Sequence, residues 1–223
     1  MTMVRNVRAG VWLLLLCLAA LPCLAQDIHQ IAEKVDKRYN SLNSLQTQFA
    51  ETYRGGGITR NESGMMYLKK PGRMRWDYES PSKKMFLTDG KTAWFYVPGE
   101  KQARRTSVKK LDDFRSPLRY LLGRTKLEKE FSGLSILTND KNAAPGNVVL
   151  EGVPKGMEDR VQAARLESGP DGSIVRIAIE ELDGSFTEFR FQGPKENVQL
   201  SDSRFKFAPP EGVEVMEATE LEP

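Results

Sequence analysis

One histidine and two cysteines are all that this 223-residue chain offers to the commonest nucleophilic and metal chemistry. His29 stands in the first turn of the first candidate helix, and Cys17 and Cys23 fall within an apolar leader. No G-x-S-x-G, H-E-x-x-H, Walker or dinucleotide fingerprint occurs. A zinc site would have to draw most of its ligands from carboxylates, which is an uncommon set. Asp112-Asp113 and Glu180-Glu181 could furnish a carboxylate pair for glycoside hydrolysis. Neighbouring strand residues point to opposite faces, however, so solvated surface charge is the simpler reading. Enzyme chemistry has little to stand on, and no cofactor or metal is expected.

A different chemistry is written into residues Gly64 to Val97, which run G-M-M-Y-L-K-K-P-G-R-M-R-W-D-Y-E-S-P and then K-M-F-L-T-D-G-K-T-A-W-F-Y-V. Pro-Gly, Ser-Pro and Asp-Gly turn signals separate short apolar runs, the punctuation of consecutive antiparallel strands. Met74, Trp76 and Tyr78 face one way, and Arg73, Arg75 and Asp77 the other. No catalytic group interrupts the apolar set, so its chemistry is contact with apolar matter. Methionines are flexible and polarizable, so they adapt to irregular apolar surroundings. The same side chains also serve as ordinary core, and the residues alone leave both readings open. From Met85 to Val97 both strand faces are apolar, and the register is undecided.

Basic residues cluster at Lys69-Lys70, Arg73, Arg75, Lys83-Lys84, Arg104-Arg105 and Lys109-Lys110. They read either as a charged exterior balanced by acids or as a docking surface for an acidic partner or anionic membrane. The formal net charge of +3 falls to +1 without Arg5 and Arg8, so attraction to nucleic acid is not indicated. Those two arginines precede an apolar Val11–Leu21 run and a Cys23-Leu24-Ala25 cleavage pattern before Gln26. Residues 1–25 thus read as a cleaved secretory signal, the alternatives being an uncleaved anchor or acylation on Cys23. Leu21-Pro22 before Cys23 speak against acylation. Residues 26–223 then form one cysteine-free domain that must be held by its hydrophobic core.

Several elements must position these residues. Asp27 caps an amphipathic helix with apolar positions Ile28, Ile31, Val35, Tyr39 and Leu42. Leu45 to Tyr53 alternates as a first strand, and Gln102 to Ser107 follows the central strands. Ser116-Pro117 starts a short helix through Leu118, Tyr120, Leu121 and Leu122, stopped by Gly123, and Lys126 to Phe131 allows one further turn. Strands resume at Leu134–Thr138, Asn147–Val153, Val161–Glu167, Ile174–Glu181 and Ser185–Gln192. A three-residue Leu182-Asp183-Gly184 loop sets Val175, Ile177 and Ile179 opposite Thr187, Phe189 and Phe191, leaving Arg176, Glu180, Glu188 and Arg190 on a solvated face. The chain is therefore mainly β (α+β), with about eleven strands in one large antiparallel sheet that curls to manage its edges.

G-M-M-Y-L-K-K-P-G-R-M-R-W, then L-T-D-G-K-T-A-W-F-Y-V-P, and the closing F-K-F-A-P-P-E-G-V from Phe205 to Val213 resemble the LolA-like family of periplasmic outer-membrane lipoprotein carriers. The resemblance implies an unclosed half-barrel with helices over its concave face and an apolar cavity between. It implies that the cavity receives acyl chains of lipoproteins, with Met74, Trp76, Tyr78, Phe86, Trp94, Phe95 and Leu121 as lining candidates. It further implies a monomer loaded by an inner-membrane ABC transporter complex and unloaded to an outer-membrane receptor or the membrane itself. In the family an arginine before the proline holds the helical lid; here that residue is Lys70, which lacks the planar fork of donors. The alternative is a half-barrel module that carries free lipid or glycolipid, or senses lipoproteins for an envelope regulatory partner.

Overall fold

The computed structural model describes residues 27–109, 126–218 and 221. The leader, the short helix at Ser116–Gly123 and Leu121 within it lie outside these residues. Helix α1 (Ile28–Ser41) starts where the Asp27 carboxylate accepts the His29 N–H at 2.9 Å, the cap that its sequence specifies. The strands are β1 (Ser44–Gly55), β2 (Ile58–Lys69), β3 (Arg73–Ser80), β4 (Lys84–Thr88), β5 (Thr92–Tyr96) and β6 (Gln102–Ser107). After the single turn α2 (Leu127–Glu130) come β7 (Phe131–Leu137), β8 (Val148–Pro154), β9 (Val161–Ser168), β10 (Ile174–Glu181), β11 (Phe186–Glu196) and β12 (Glu214–Glu217). Among the described residues no helix is long and apolar enough to cross a membrane.

All twelve strands form one sheet, in the order β12-β6-β5-β4-β3-β2-β1-β11-β10-β9-β8-β7. Every pairing is antiparallel except that of β12 with β6, and the sheet is not closed, since β12 and β7 are its free edges. The expected count of about eleven thus rises by one. β12 carries no buried position, so no alternation of apolar residues announces it. It is held by main-chain pairing, extended by the Glu214 and Ala218 N–H groups donating to Lys101 and Arg105 carbonyls at 2.8 Å.

The concave face carries the main core. Phe49, Met66, Trp76, Leu150, Leu166, Ile177, Phe189 and Phe191 are buried there beneath Ala32, Val35 and Tyr39 of α1. Gly64 marks the tightest strand contact: a β-carbon there would stand 1.9 Å from the Asp77 carbonyl oxygen, so only glycine permits β2 and β3 to approach this closely. The β10–β11 hairpin has the three-residue loop, with Gly184 at φ 82° and Ile177 paired with Phe189.

The charged side of that hairpin departs from expectation, because it is roofed rather than solvated. Arg176 is only 2 % exposed, and its guanidinium reaches Asp140 at 2.5 Å, Glu167 at 2.7 Å and Glu188 at 3.3 Å. Asp140 comes from the β7–β8 connection, which the strand pattern alone does not bring over the sheet. Burial opposes the charged form of Asp140, but the Arg176 hydrogen bond, the Asn142 N–H and the Arg176 charge together overcome it and hold the carboxyl below its ordinary range. Burial likewise opposes ionised Glu167. The Ala144 N–H, the Asn147 amide and Arg176 overcome it and lower its pKa too.

Arg176→Met takes the cation away from these buried carboxylates at neutral pH and is expected to cost about 3 kcal/mol in urea unfolding. Both groups are depressed from ordinary values of 3.8 and 4.5. Their stabilisation is therefore present above those values and lost as pH falls through the depressed folded ones. Stability curves of the wild type and the variant should converge on acidification from pH ~7 to ~3; curves that stay parallel would disprove this account.

Candidate functional site

Strand register decides which candidate side chains meet. Trp76 on β3 lies between Met66 on β2 and Phe86 on β4, and Phe86 pairs onward with Phe95 on β5. Met74, Trp76, Tyr78, Phe86 and Phe95 therefore share the concave face, with Phe86 bridging the main cluster to a smaller one of Ala93, Phe95 and Leu221. Trp94 is not with them. It pairs with Leu87 on the opposite face, where its ring stands 5.3 Å from that of Phe207. This explains why Met85 to Val97 reads as apolar on both sides: the chain around Phe205 and Phe207 returns over the convex face and gives it a second cover.

Pattern alone passes over the residues that complete the aromatic floor. Phe49 on β1 meets Trp76 edge-on at 4.6 Å and Tyr78 at 4.9 Å, and Phe189 on β11 lies 5.5 Å from Trp76. The signal exists in the alternation of β1 and in the register of the β10–β11 hairpin. What links the three strands is the β1–β11 pairing, which is remote in sequence.

Toward the β1–β2 hairpin the same face turns polar. The Tyr78 hydroxyl donates to Glu51 at 2.7 Å, and the Lys84 ammonium donates to Glu62 at 2.8 Å while lying 4.2 Å above the Tyr78 ring. Glu51, Glu62 and Lys84 are all buried. Burial raises the Glu51 pKa against the opposing Tyr78 hydrogen bond, and burial raises that of Tyr78 as well.

Helix α1 closes over this floor, and polar bonds fix where it sits. At its C-terminal end, Lys70 donates to the carbonyls of Tyr39 at 2.7 Å and Asn40 at 2.9 Å. Those carbonyls end the helix, where a cation also complements the helix dipole. The β9–β10 turn grips the same half: Lys34 donates to the Pro170 carbonyl at 2.7 Å and Arg38 to Asp171 at 2.9 Å, while the Tyr39 hydroxyl accepts the Ile174 N–H. Gly172 in that turn, at φ 81°, lets the turn come close, since a β-carbon would stand 3.0 Å from the Lys34 carbonyl. Further along, Asp36 accepts the Leu127 N–H at 3.2 Å and His29 pairs with Glu128. A groove of about 340 Å³ lies on the other side of the sheet, between Met85, Tyr96, Pro98 and Phe207.

The family profile described as "Outer membrane lipoprotein carrier protein LolA" matches residues 40–208, a span that takes in the end of α1 and β1 through β11. The chain belongs to the LolA family. It is 32% identical over 216 residues to the outer-membrane lipoprotein carrier protein of Alkalilimnicola ehrlichii, covering 92% of this chain and 93% of that one. It is 31% identical over 181 residues to that of Nitrosospira multiformis, covering 79% and 83%. An uncharacterised conserved protein from Thermus thermophilus shares the fold, with a TM-score of 0.55 at 14% identity over 86% of this chain and the whole of that one. LolA membership is that of a carrier family rather than a known enzyme family.

Within this LolA fold, the single ammonium of Lys70 reaches two successive carbonyls at the end of α1. Lys70→Ala should lower urea stability by about 1–2 kcal/mol and speed hydrogen exchange of the last α1 amides, whereas Lys70→Arg should restore both. Unchanged exchange in the alanine variant would remove Lys70 from the attachment of α1.

Proposed function

We propose that the mature protein is a periplasmic carrier, released from its 1–25 signal, that shields the acyl chains of lipoproteins on its concave face. It takes them from an inner-membrane ABC transporter complex and delivers them to an outer-membrane receptor or the membrane itself, acting as a monomer that binds without catalysis. The carrying observation is a continuous Met66–Trp76–Phe86–Phe95 row on the concave face of a LolA-family sheet. An amphipathic helix seals the floor beside that row, and polar bonds set its position.

The energetics favour this reading. Transfer of acyl chain out of water is worth ~0.8 kcal/mol per CH₂, so a multiply acylated protein leaves a bilayer very slowly unaided. A carrier that matched the bilayer fully would never release its cargo. Here α1 buries Val35 and Tyr39 on the floor, which contributes roughly 1.5–3 kcal/mol per large side chain to the closed arrangement. Self-packing thus offsets part of the ligand's gain, and net affinity stays low enough for a partner to tip the exchange. In this scheme Lys70 acts as the latch of the α1 cover.

Photo-crosslinking separates the two sheet faces. p-Benzoyl-phenylalanine at Phe86 is expected to capture a lipoprotein during its release from spheroplasts, and the same group at Trp94 is not. Capture should vanish when the cargo's acylated cysteine is replaced by serine. Equal capture at both positions, or capture of the unacylated cargo, would defeat the carrier reading.

A further inference from the structure

The buried polar group at the β1–β2 end of the concave face has no role in covering or latching. It lies on the face proposed to hold acyl chains, one aromatic ring beyond Phe49 and Trp76. Glu51 is 6 % exposed, and only one of its two carboxylate oxygens has a partner among the described residues, the Tyr78 hydroxyl. Lys84, beside it, spends one N–H on Glu62 and holds its charge over the Tyr78 ring. A carboxylate in such a place lowers stability unless something uses it, whereas the rest of the concave floor is packed with apolar side chains.

An acylated lipoprotein is not only hydrocarbon. Where the chains meet the polypeptide, its N-terminal residue carries glyceryl ester carbonyls and a nitrogen. That nitrogen is an amide N–H when acylated and an ammonium when free, and both donate hydrogen bonds. We infer that Glu51, oriented by Tyr78, accepts the N–H of the cargo's lipidated N-terminal residue, while Lys84 lies in reach of an ester carbonyl. The free Glu51 oxygen supplies the acceptor, and the aromatic floor next to it supplies the place for the chains. Chains laid on Phe49, Trp76 and Met66 would bring their polar junction to this end of the face. The site would then distinguish a lipoprotein N-terminus from a lipid of equal chain length without a nitrogen. Glu51 is the contacting residue and Tyr78 a positioning residue. This inference rests on the carrier reading above.

Glu51→Gln keeps the shape of the side chain and removes its charge. Binding of the wild type and variant would be measured for a tripalmitoylated and a dipalmitoylated Cys-Ser-Lys-Lys-Lys-Lys peptide, and for a fluorescent fatty-acid methyl ester as the control without a hydrogen-bond donor. Glu51→Gln is expected to weaken lipopeptide binding about tenfold and to leave the methyl ester unchanged. Loss confined to the dipalmitoylated peptide assigns the ammonium as donor; loss confined to the tripalmitoylated one assigns the amide. Tyr78→Phe should reproduce a smaller loss with the same selectivity. Urea unfolding of Glu51→Gln should occur at no lower concentration than in the wild type, which separates a binding role from a structural one. Equal affinity of wild type and variant for both peptides would overturn this inference and leave the carrier reading intact. If the wild type binds neither peptide, the carrier reading falls and this inference with it.

Discussion

A sheet of twelve strands that does not close must hide one apolar face from water, and here that duty falls on α1. Everything functional about the fold follows from this need. Phe49, Trp76, Phe189 and Ile177 would be an exposed aromatic and aliphatic surface without the cover, and water would penalise every square ångström of it. A cover that is part of the same chain is always present at high effective concentration, so the floor is never empty for long. Any ligand for that face competes with a resident helix, and its affinity is the difference between two burials rather than the whole of one.

The attachment of α1 divides into two kinds of interaction. Val35 and Tyr39 supply non-directional burial, which a hydrocarbon chain can replace on the floor. Lys34, Arg38 and Lys70 supply directional bonds to backbone and carboxylate partners, which a hydrocarbon chain cannot replace. These bonds concentrate at the C-terminal half, on the β9–β10 turn, Glu196 and the helix-end carbonyls. Displacing α1 would forfeit all of them. His29, at the N-terminal end, and Asp36, between Lys34 and Arg38, make the attachments to α2.

Much of this is legible in the chain because its causes are local. The Asp27 cap, the alternation of β3 and the Leu182-Asp183-Gly184 loop each follow from residues close in sequence, and the pairing of Ile177 with Phe189 follows from which face is apolar. Trp94 reads as lining only because a second segment, around Phe207, covers the convex face as well, and a strand buried on both sides carries no period to read. Arg176 reads as solvated for a similar reason: its partner Asp140 arrives from a loop whose path no pattern encodes. β12 sets Val215 and Met216 side by side between two glutamates, so no apolar alternation marks it. Lys70 is marked by its place before Pro71, yet its acceptors are main-chain carbonyls, which every residue has.

The sheet's two faces hold buried charge in opposite ways. On the convex side, Arg176 meets Asp140 and Glu167, whose ionised forms are favoured, and their ionisation adds to stability. On the concave side, burial raises the pKa of Glu51, so its ionised form at neutral pH subtracts from stability by the same linkage. Folding alone explains the first arrangement and not the second. An apolar side chain at the Glu51 position, of the kind Phe49 provides two residues earlier on the same face, would remove that cost but leave the Tyr78 hydroxyl without its acceptor. A carboxylate retained at a cost, with one oxygen unclaimed and an aromatic floor beside it, is what a site looks like when its partner arrives with the ligand.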